Sequence, residues 1–202
     1  MKNWIFPILL LAMWSCQQSP SSSAGGSSAT SASVNLEGFT SERLSGSSTD
    51  YVVKRDGQGR VLEEGFMENG QKVGTWATYN PEKNEITALT PYIDGQINGR
   101  ALTFDAGNRI QSQQGYKNGQ LHGYAAKYNF SRLLEEFNYT NGQLNGEYKK
   151  YFDNLNQVQQ ESNYKNGQLD GTVTYYNKEG VKTLQYEYKN GEKVSGGIIE
   201  GK

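Results

Sequence analysis

The sequence predicts an all-β protein, an elongated and twisted antiparallel meander sheet built from tandem β-hairpin repeats of about 24 residues. Three observations predict this fold. A short string containing Asn-Gly or Asp-Gly recurs six times, tyrosine and glycine are abundant (14 and 24 of 202 residues), and only 4 residues are proline. Tyrosine favours strands and Asn-Gly favours tight turns, so this composition suits short strands in hairpins.

The recurring string defines the repeat. Its first glycines, which lie 25, 24, 23, 25 and 24 residues apart, are Gly70, Gly95, Gly119, Gly142, Gly167 and Gly191. Asn-Gly is the strongest short-range signal for a two-residue hairpin, because both residues tolerate positive φ. Each repeat is therefore predicted to contain two antiparallel strands joined by this turn.

The strand before the turn carries two regularly placed hydrophobic residues. Three residues before the glycine lie Met67, Tyr92, Tyr116, Tyr139, Tyr164 and Tyr188. Six residues earlier lie Val61, Ile86, Ile110, Leu133 and Val158. Because six is an even number, an extended strand is predicted to place each of these on the face of its tyrosine or methionine.

The strand after the turn starts at a second glycine, which predicts a bulge or a close approach of backbones. These glycines are Gly74, Gly99, Gly123, Gly146 and Gly171. Five residues further on lie the aromatic residues Tyr79, Phe104, Tyr128, Tyr151 and Tyr176. Together with the five tyrosines before the turns, they form a candidate interaction face. Packing of these rings within the sheet is the favoured interpretation, and binding of a partner is the alternative.

The pattern Y-x-N-G-x-x-x-G, followed by an aromatic pair and another turn, resembles the bacterial variant of the MORN repeat. It is present at 116–123, 139–146 and 164–171, with Tyr151-Phe152 and Tyr175-Tyr176 as aromatic pairs. The resemblance covers roughly residues 51–196 and implies an open, twisted antiparallel sheet. Some members of the family are named as antitoxin components of toxin–antitoxin modules, and eukaryotic relatives are associated with membranes and scaffolding.

The first sixteen residues form a predicted export signal. Lys2 is a short basic start, residues 4–14 are apolar, and Ser15-Cys16 closes the segment. A membrane-spanning helix needs about 20 apolar residues, whereas this chain becomes polar at Gln17. The length favours a signal peptide, and a short membrane anchor that is never cleaved is the alternative.

Cys16 is the only cysteine, so an intrachain disulfide has no partner. A lone cysteine after an apolar segment and a small residue resembles the lipid-attachment site of bacterial lipoproteins. The resemblance implies cleavage before Cys16, acylation of its thiol and anchoring in the membrane through the N-terminal lipid. It also implies an outer-membrane location in the cell envelope, either periplasmic or surface-exposed, because Gln17 is not the aspartate that retains such proteins at the inner membrane.

Three segments are therefore predicted: a lipoprotein-type signal peptide at 1–16, a Ser/Gly-rich tether at 17–49 and a repeat domain at 50–202. The tether is expected from residues 17–33, which are uncharged and rich in Ser, Ala and Gly. Such a segment buries too little apolar surface to offset the entropy of ordering. Residues 34–49 are still polar, which places the domain start near Asp50.

Few residues are candidates for catalysis. His122, the only histidine, is either a base or metal ligand or an exposed turn residue. The exposed turn residue is favoured, because a catalytic histidine needs a positioned partner. Glu63-Glu64 and Glu135-Glu136 are candidate carboxylate pairs, but they recur at the same place in two repeats, which favours a solvated strand face.

No cofactor, metal site or enzymatic activity is expected, because the sequence contains no G-x-S-x-G, Walker or H-E-x-x-H motif. The segment 56–59 is similar to a cation or phosphate loop, but it lacks the alternating acids of a calcium loop and is predicted to be a hairpin turn. The formal net charge of −1 argues against a nucleic-acid partner.

The leading functional expectation is a non-catalytic envelope lipoprotein whose sheet binds a protein partner or acts as a scaffold. An antitoxin or immunity protein that neutralises a co-encoded toxin is a second hypothesis, which rests on the family resemblance. A glycan-binding module that uses the tyrosines is a third. The sequence leaves the partner, the exposed leaflet and the oligomeric state open.

Overall fold

The computed structural model describes residues 38–199, which contain 15 strands and no helix. The strands are β1 (Phe39–Arg43), β2 (Thr49–Arg55), β3 (Val61–Glu68), β4 (Gln71–Asn80), β5 (Glu85–Ile93), β6 (Gln96–Ile97), β7 (Gly99–Phe104), β8 (Ile110–Lys117), β9 (Gln120–Asn129), β10 (Arg132–Thr140), β11 (Gln143–Tyr151), β12 (Val158–Lys165), β13 (Gln168–Tyr176), β14 (Lys182–Lys189) and β15 (Glu192–Ile198).

All strands belong to one antiparallel sheet in which neighbours in sequence are neighbours in space. The only departure is the short strand β6, which pairs with β5 beside β7. The sheet is not closed, because β1 and β15 each pair with a single neighbour. The predicted fold class, an open antiparallel meander built from hairpin repeats, is confirmed.

The six Asn-Gly or Asp-Gly turns have the backbone conformation that their sequence predicts. Both central residues have positive φ in every turn; Asn118 and Gly119, for example, have φ values of 50° and 78°. Each of the five later turns also contacts the repeat before it. The glycine N–H groups of Gly95, Gly119, Gly142, Gly167 and Gly191 donate to the carbonyls of Lys72, Ile97, Leu121, Leu144 and Leu169 at 2.8–3.0 Å. These bonds join successive repeats along the side of the sheet where these turns lie.

The second glycine of each repeat lies in a bulge, as predicted. In the β8–β9 hairpin, Tyr116 pairs with Leu121 and Gln114 pairs with Ala125, so residues 122–124 lie opposite Gly115 alone. Two extra residues preserve the alternation of side chains between the faces. The same bulge accommodates Pro91 in the interior of β5, because a residue opposite a bulge need not donate to the ladder.

A second bulge was not predicted, and it changes which side chains share a face. Thr78 pairs with Ala88 and Tyr79 pairs with Ile86, so Thr87 is a single extra residue. One extra residue reverses the alternation of side chains, so Ile86 lies on the face opposite Tyr92. The same shift lies near the start of each equivalent strand. It was therefore wrong to expect that Val61, Ile86, Ile110, Leu133 and Val158 share a face with Met67 or their tyrosines.

The sheet starts earlier than the boundary predicted near Asp50. Strand β1 lies within the predicted tether and pairs along its whole length with β2. It is held there because Phe39 packs edge-on against the ring of Trp76, with centroids 5.9 Å apart. Trp76 forms the main buried cluster together with Val52 and Met67. The polar composition of residues 34–49 concealed this strand.

Residues 1–37 and 200–202 lie outside the described range, and so do the predicted signal peptide, Cys16 and most of the predicted tether. Within residues 38–199 there is no helix long and apolar enough to span a membrane.

Candidate interaction surface

The five tyrosines before the turns lie on one face of the sheet. Opposite the three central ones lie leucines of the following strand, and Ile97 lies opposite Tyr92. All of these side chains are half-buried. We call this row the tyrosine stripe; its members are Tyr92, Ile97, Tyr116, Leu121, Tyr139, Leu144, Tyr164 and Leu169. The face that carries it is the stripe face.

The other five predicted aromatic residues lie on the opposite face. Tyr79 donates a hydrogen bond to Glu64 at 2.6 Å. Glu64 is three residues from Met67 in an unbroken stretch of β3, so the two side chains point to opposite faces. The equivalent register positions of the other repeats place Phe104, Tyr128, Tyr151 and Tyr176 on this side. The ten residues predicted as one interaction face are therefore divided between two faces.

Repeated tyrosine–glutamate hydrogen bonds characterise this second face, which we call the glutamate face. Glu64 accepts from Tyr51 and Tyr79, one at each carboxylate oxygen. In the fourth repeat, Glu136 accepts in the same way from Tyr124 and Tyr151. In the fifth repeat, Glu161 accepts from Tyr176 at 2.6 Å. We call each glutamate and its tyrosines a clamp.

The clamps change the ionisation of their tyrosines. The hydrogen bond to Glu64, together with burial and the negative charge of Glu64, raises the pKa of both Tyr51 and Tyr79 to about 12. For Tyr176, burial and the hydrogen bond to Glu161 raise the pKa to about 12. A phenol that donates to a carboxylate must keep its proton, so these hydroxyls are committed to contacts within the sheet.

The tyrosine stripe has a different hydrogen-bonding state. Within residues 38–199, the hydroxyls of Tyr92, Tyr139 and Tyr164 form no hydrogen bond with another residue, whereas Tyr116 donates to Gln114. Burial raises the pKa of all four hydroxyls. The stripe therefore presents partly desolvated rings and available hydroxyls, separated by aliphatic side chains.

Lysines lie at both ends of the stripe. Lys72 and Lys193 occupy, in the first and last repeats, the position that Ile97 and the three leucines occupy in between. The Nζ atom of Lys72 lies 3.8 Å from the Trp76 ring centroid and 2.5 Å from Glu63 Oε1. The Nζ atom of Lys193 lies 3.9 Å from the ring centroid of Tyr186. Such cation–π contacts cover the terminal rings with a charged group.

The two candidate carboxylate pairs are separated by the sheet. Glu63 binds Lys72 on the stripe face, whereas Glu64 accepts from tyrosines on the glutamate face. Glu135 binds Lys127 at 2.9 Å, and the adjacent Glu136 again faces the other way. Neighbouring residues of a strand point to opposite faces, so neither pair can act together on one substrate. These carboxylates are half-buried and hydrogen-bonded, not the solvated row that was expected.

His122 lies in the bulge of β9, not in an exposed turn as expected. Its side chain is half-buried, and its Nδ1 atom is buried without a hydrogen-bond partner in the described part of the chain. The carbonyl of His122 lies so close to Gly115 that a Cβ atom at position 115 would collide with it.

The loop at 56–59 is a hairpin turn, as predicted. Asp56 Oδ1 accepts from the backbone N–H groups of Gln58 and Arg60, and Oδ2 accepts from the Arg60 side chain at 2.6 Å. Burial opposes ionisation of this carboxyl, but these hydrogen bonds outweigh it and lower the pKa of Asp56. Asp105 is held in the same way in its own turn. Within residues 38–199, no group of three or more His, Cys, Asp and Glu residues is arranged to hold a metal ion.

Two parts of these faces were not predicted from the sequence. The residues opposite the stripe tyrosines recur two positions after each turn glycine, so the repeat itself contained that signal. Tyr124 was missed because its part in a clamp depends on the alternation of side chains across the bulge at residues 122–124, and Tyr51 was missed because it precedes the first repeat. No family model matches this chain, and no curated protein matches it.

Proposed function

We propose that the protein is a non-catalytic envelope lipoprotein that binds a protein partner through its tyrosine stripe. The observation that carries this proposal is the contrast between the two faces. On the glutamate face, five tyrosine hydroxyls donate to carboxylates of the sheet. On the stripe face, the hydroxyls of Tyr92, Tyr139 and Tyr164 bond to no other residue between 38 and 199, so they are available to a partner.

The chemistry of the stripe suits a protein surface. Tyrosine is enriched at protein interfaces, because it offers a large apolar ring with a hydrogen-bonding tip at a low entropic cost. Stripe tyrosines of neighbouring repeats lie two strands apart, about 9.5 Å at the usual strand spacing. Each ring is flanked by an aliphatic side chain, which excludes water around the hydroxyl and strengthens a hydrogen bond made there.

Site-specific photo-crosslinking in the native envelope tests the proposal. A photoreactive phenylalanine analogue replaces Tyr139 on the stripe face or, as the matched control, Phe104 on the glutamate face. Both positions are half-buried aromatic sites within strands or at their ends, so the perturbation is comparable. We expect the Tyr139 probe to capture one envelope protein and the Phe104 probe to capture none.

The other functional hypotheses predict different crosslinked products. Capture of a co-encoded toxin by the Tyr139 probe would establish the antitoxin function. Capture of polysaccharide would show that the partner is a glycan and not a protein. Equal capture by both probes, or capture by neither, contradicts the stripe as a binding surface.

The lipid anchor needs its own test, because Cys16 lies outside the described residues. We expect metabolic labelling with a tagged fatty acid to modify the wild-type protein in the outer-membrane fraction. Cys16→Ser is expected to abolish both the label and the membrane association. A labelled Cys16→Ser protein, or an unlabelled wild type, contradicts acylation of this thiol.

A further inference from the structure

The two edges of the sheet differ in chemistry. The last strand, β15, contains no charged residue between Val194 and Ile198, and these two side chains are 60% and 81% exposed. The first strand, β1, is polar from Thr40 to Arg43, and Arg43 forms an ion pair with Asp50. Charged residues on an edge strand prevent it from pairing with another chain. Strand β1 is protected in this way, and the outer part of β15 is not.

The free edge of β15 also lies beside a cavity. Gly197 lies six residues after its turn glycine, at the position of Trp76, Ala125 and Val173 in inner repeats. A Cβ atom at Gly197 would meet nothing within 4 Å, whereas one at Gly196 would collide with the backbone of β14. The result is an open cavity of about 390 Å³ lined by Gln185, Tyr186, Glu187 and residues 195–199. An added strand can therefore approach β15 closely and place a side chain over Gly197.

We infer that β15 pairs antiparallel with β15 of a second copy of this chain, centred on Gly196. In this register, residues equally distant from Gly196 lie opposite each other across a two-fold axis. Val194 is two residues before Gly196 and Ile198 is two residues after it. Each exposed Val194 therefore meets Ile198 of the other copy, and both lose contact with water. The strand is thus self-complementary, as an isologous interface requires.

The contrast between the edges selects a closed dimer over a polymer. Head-to-tail pairing of β15 with β1 would place Val194 and Ile198 against the charged edge formed by Glu42 and Arg43. Pairing of β15 with itself buries apolar side chains on both sides and uses up both free edges of this type. It also extends the sheet with the stripe faces on the same side. The inference does not depend on what binds the stripe.

Sedimentation equilibrium of the full chain in a density-matched non-ionic detergent tests the association. We expect the wild type to form dimers, and Val194→Lys to raise the dissociation constant at least tenfold. Val181→Lys is the matched control, because Val181 is also exposed (48%) but lies in the turn before β14, away from the free edge. We expect this control to dimerise like the wild type. A wild-type monomer, an open-ended polymer, or dimers unaffected by Val194→Lys would overturn the inference.

Disulfide trapping tests the register independently of the strength of association. In a chain carrying Cys16→Ser, Val194→Cys and Ile198→Cys are prepared separately and then mixed under mild oxidation. Directly opposite residues have Cβ atoms close enough for a disulfide, so we expect a crosslink in the mixture and little in either variant alone. Equal crosslinking of each variant with itself contradicts the register. Thr40→Cys on the other edge is expected to crosslink with neither variant.

Discussion

The hydroxyl of Tyr151 donates a 2.6 Å hydrogen bond to Oε1 of Glu136, which accepts from Tyr124 at its other oxygen. The three residues come from three successive strands, β9, β10 and β11. The same arrangement recurs in the first repeat, where Tyr51, Glu64 and Tyr79 come from β2, β3 and β4. The clamps therefore join two successive hairpins through side chains, in addition to the backbone ladder.

Tyr151→Phe removes one clamp hydrogen bond without changing the packing of the ring. We expect a loss of about 1 kcal/mol in the free energy of unfolding, the usual magnitude for one side-chain hydrogen bond. Urea unfolding followed by tyrosine fluorescence measures it. Tyr164→Phe is the control, because the Tyr164 hydroxyl bonds to no residue between 38 and 199, and we expect no change. Equal losses in both variants would show that the hydrogen bond to Glu136 does not stabilise the fold.

Stability is expected to fall at alkaline pH because of the clamps. The hydrogen bond to Glu64, burial and the charge of Glu64 raise the pKa of Tyr51 and Tyr79 from 10.0 to about 12. Between these values the unfolded chain loses the phenolic protons while the folded chain keeps them. The stabilisation is therefore complete below pH 10 and is lost as the pH rises towards 12.

Glu64→Gln tests the cause of this shift. Titration of the ultraviolet absorbance of tyrosinate is expected to show two tyrosines ionising closer to pH 10 in the variant than in the wild type. The variant keeps a hydrogen-bond acceptor but lacks the charge that disfavours the phenolate. Identical titration curves would mean that Glu64 does not control these groups.

Gly65→Ala is expected to disrupt the buried cluster of Trp76, Val52 and Met67. A Cβ atom at position 65 would lie 2.5 Å from Cε2 of the Trp76 ring, so the indole must move. Overpacking of this kind costs roughly 1–3 kcal/mol. Gly57→Ala is the matched control, because a Cβ atom there meets nothing within 4 Å. Thermal unfolding is expected to separate the two variants, and equally stable variants would contradict the close packing of Trp76 on Gly65.

A chain that starts at residue 50 is expected to be less stable than one that starts at residue 38. The shorter chain lacks β1 and therefore loses the contact of Phe39 with Trp76. Exposure of this apolar surface costs roughly 1–3 kcal/mol. Urea unfolding of the two chains measures the difference, and Phe39→Ala in the longer chain is expected to reproduce part of it. Equal stability would restore Asp50 as the functional start of the domain.

Local signals in the sequence were sufficient for the repeat and for its turns. Asn118-Gly119 and its equivalents determine a turn with two positive φ values, because few other residue pairs accept this conformation. Gly123 likewise marked its bulge. These features depend on the backbone preferences of one or two residues, which the sequence states directly.

The assignment of side chains to faces depended on the tertiary structure. The single extra residue at Thr87 carries no distinctive sequence signal, yet it places Ile86 and Tyr92 on opposite faces of the sheet. Strand β1 was hidden for a similar reason, because its polar sequence becomes a strand only by pairing with β2. The sequence by itself determined the repeat, the turns and the open meander through local conformational preferences. The tertiary structure decided the two faces and the start of the sheet, because strand register and edge pairing are set by contacts between residues distant in the chain.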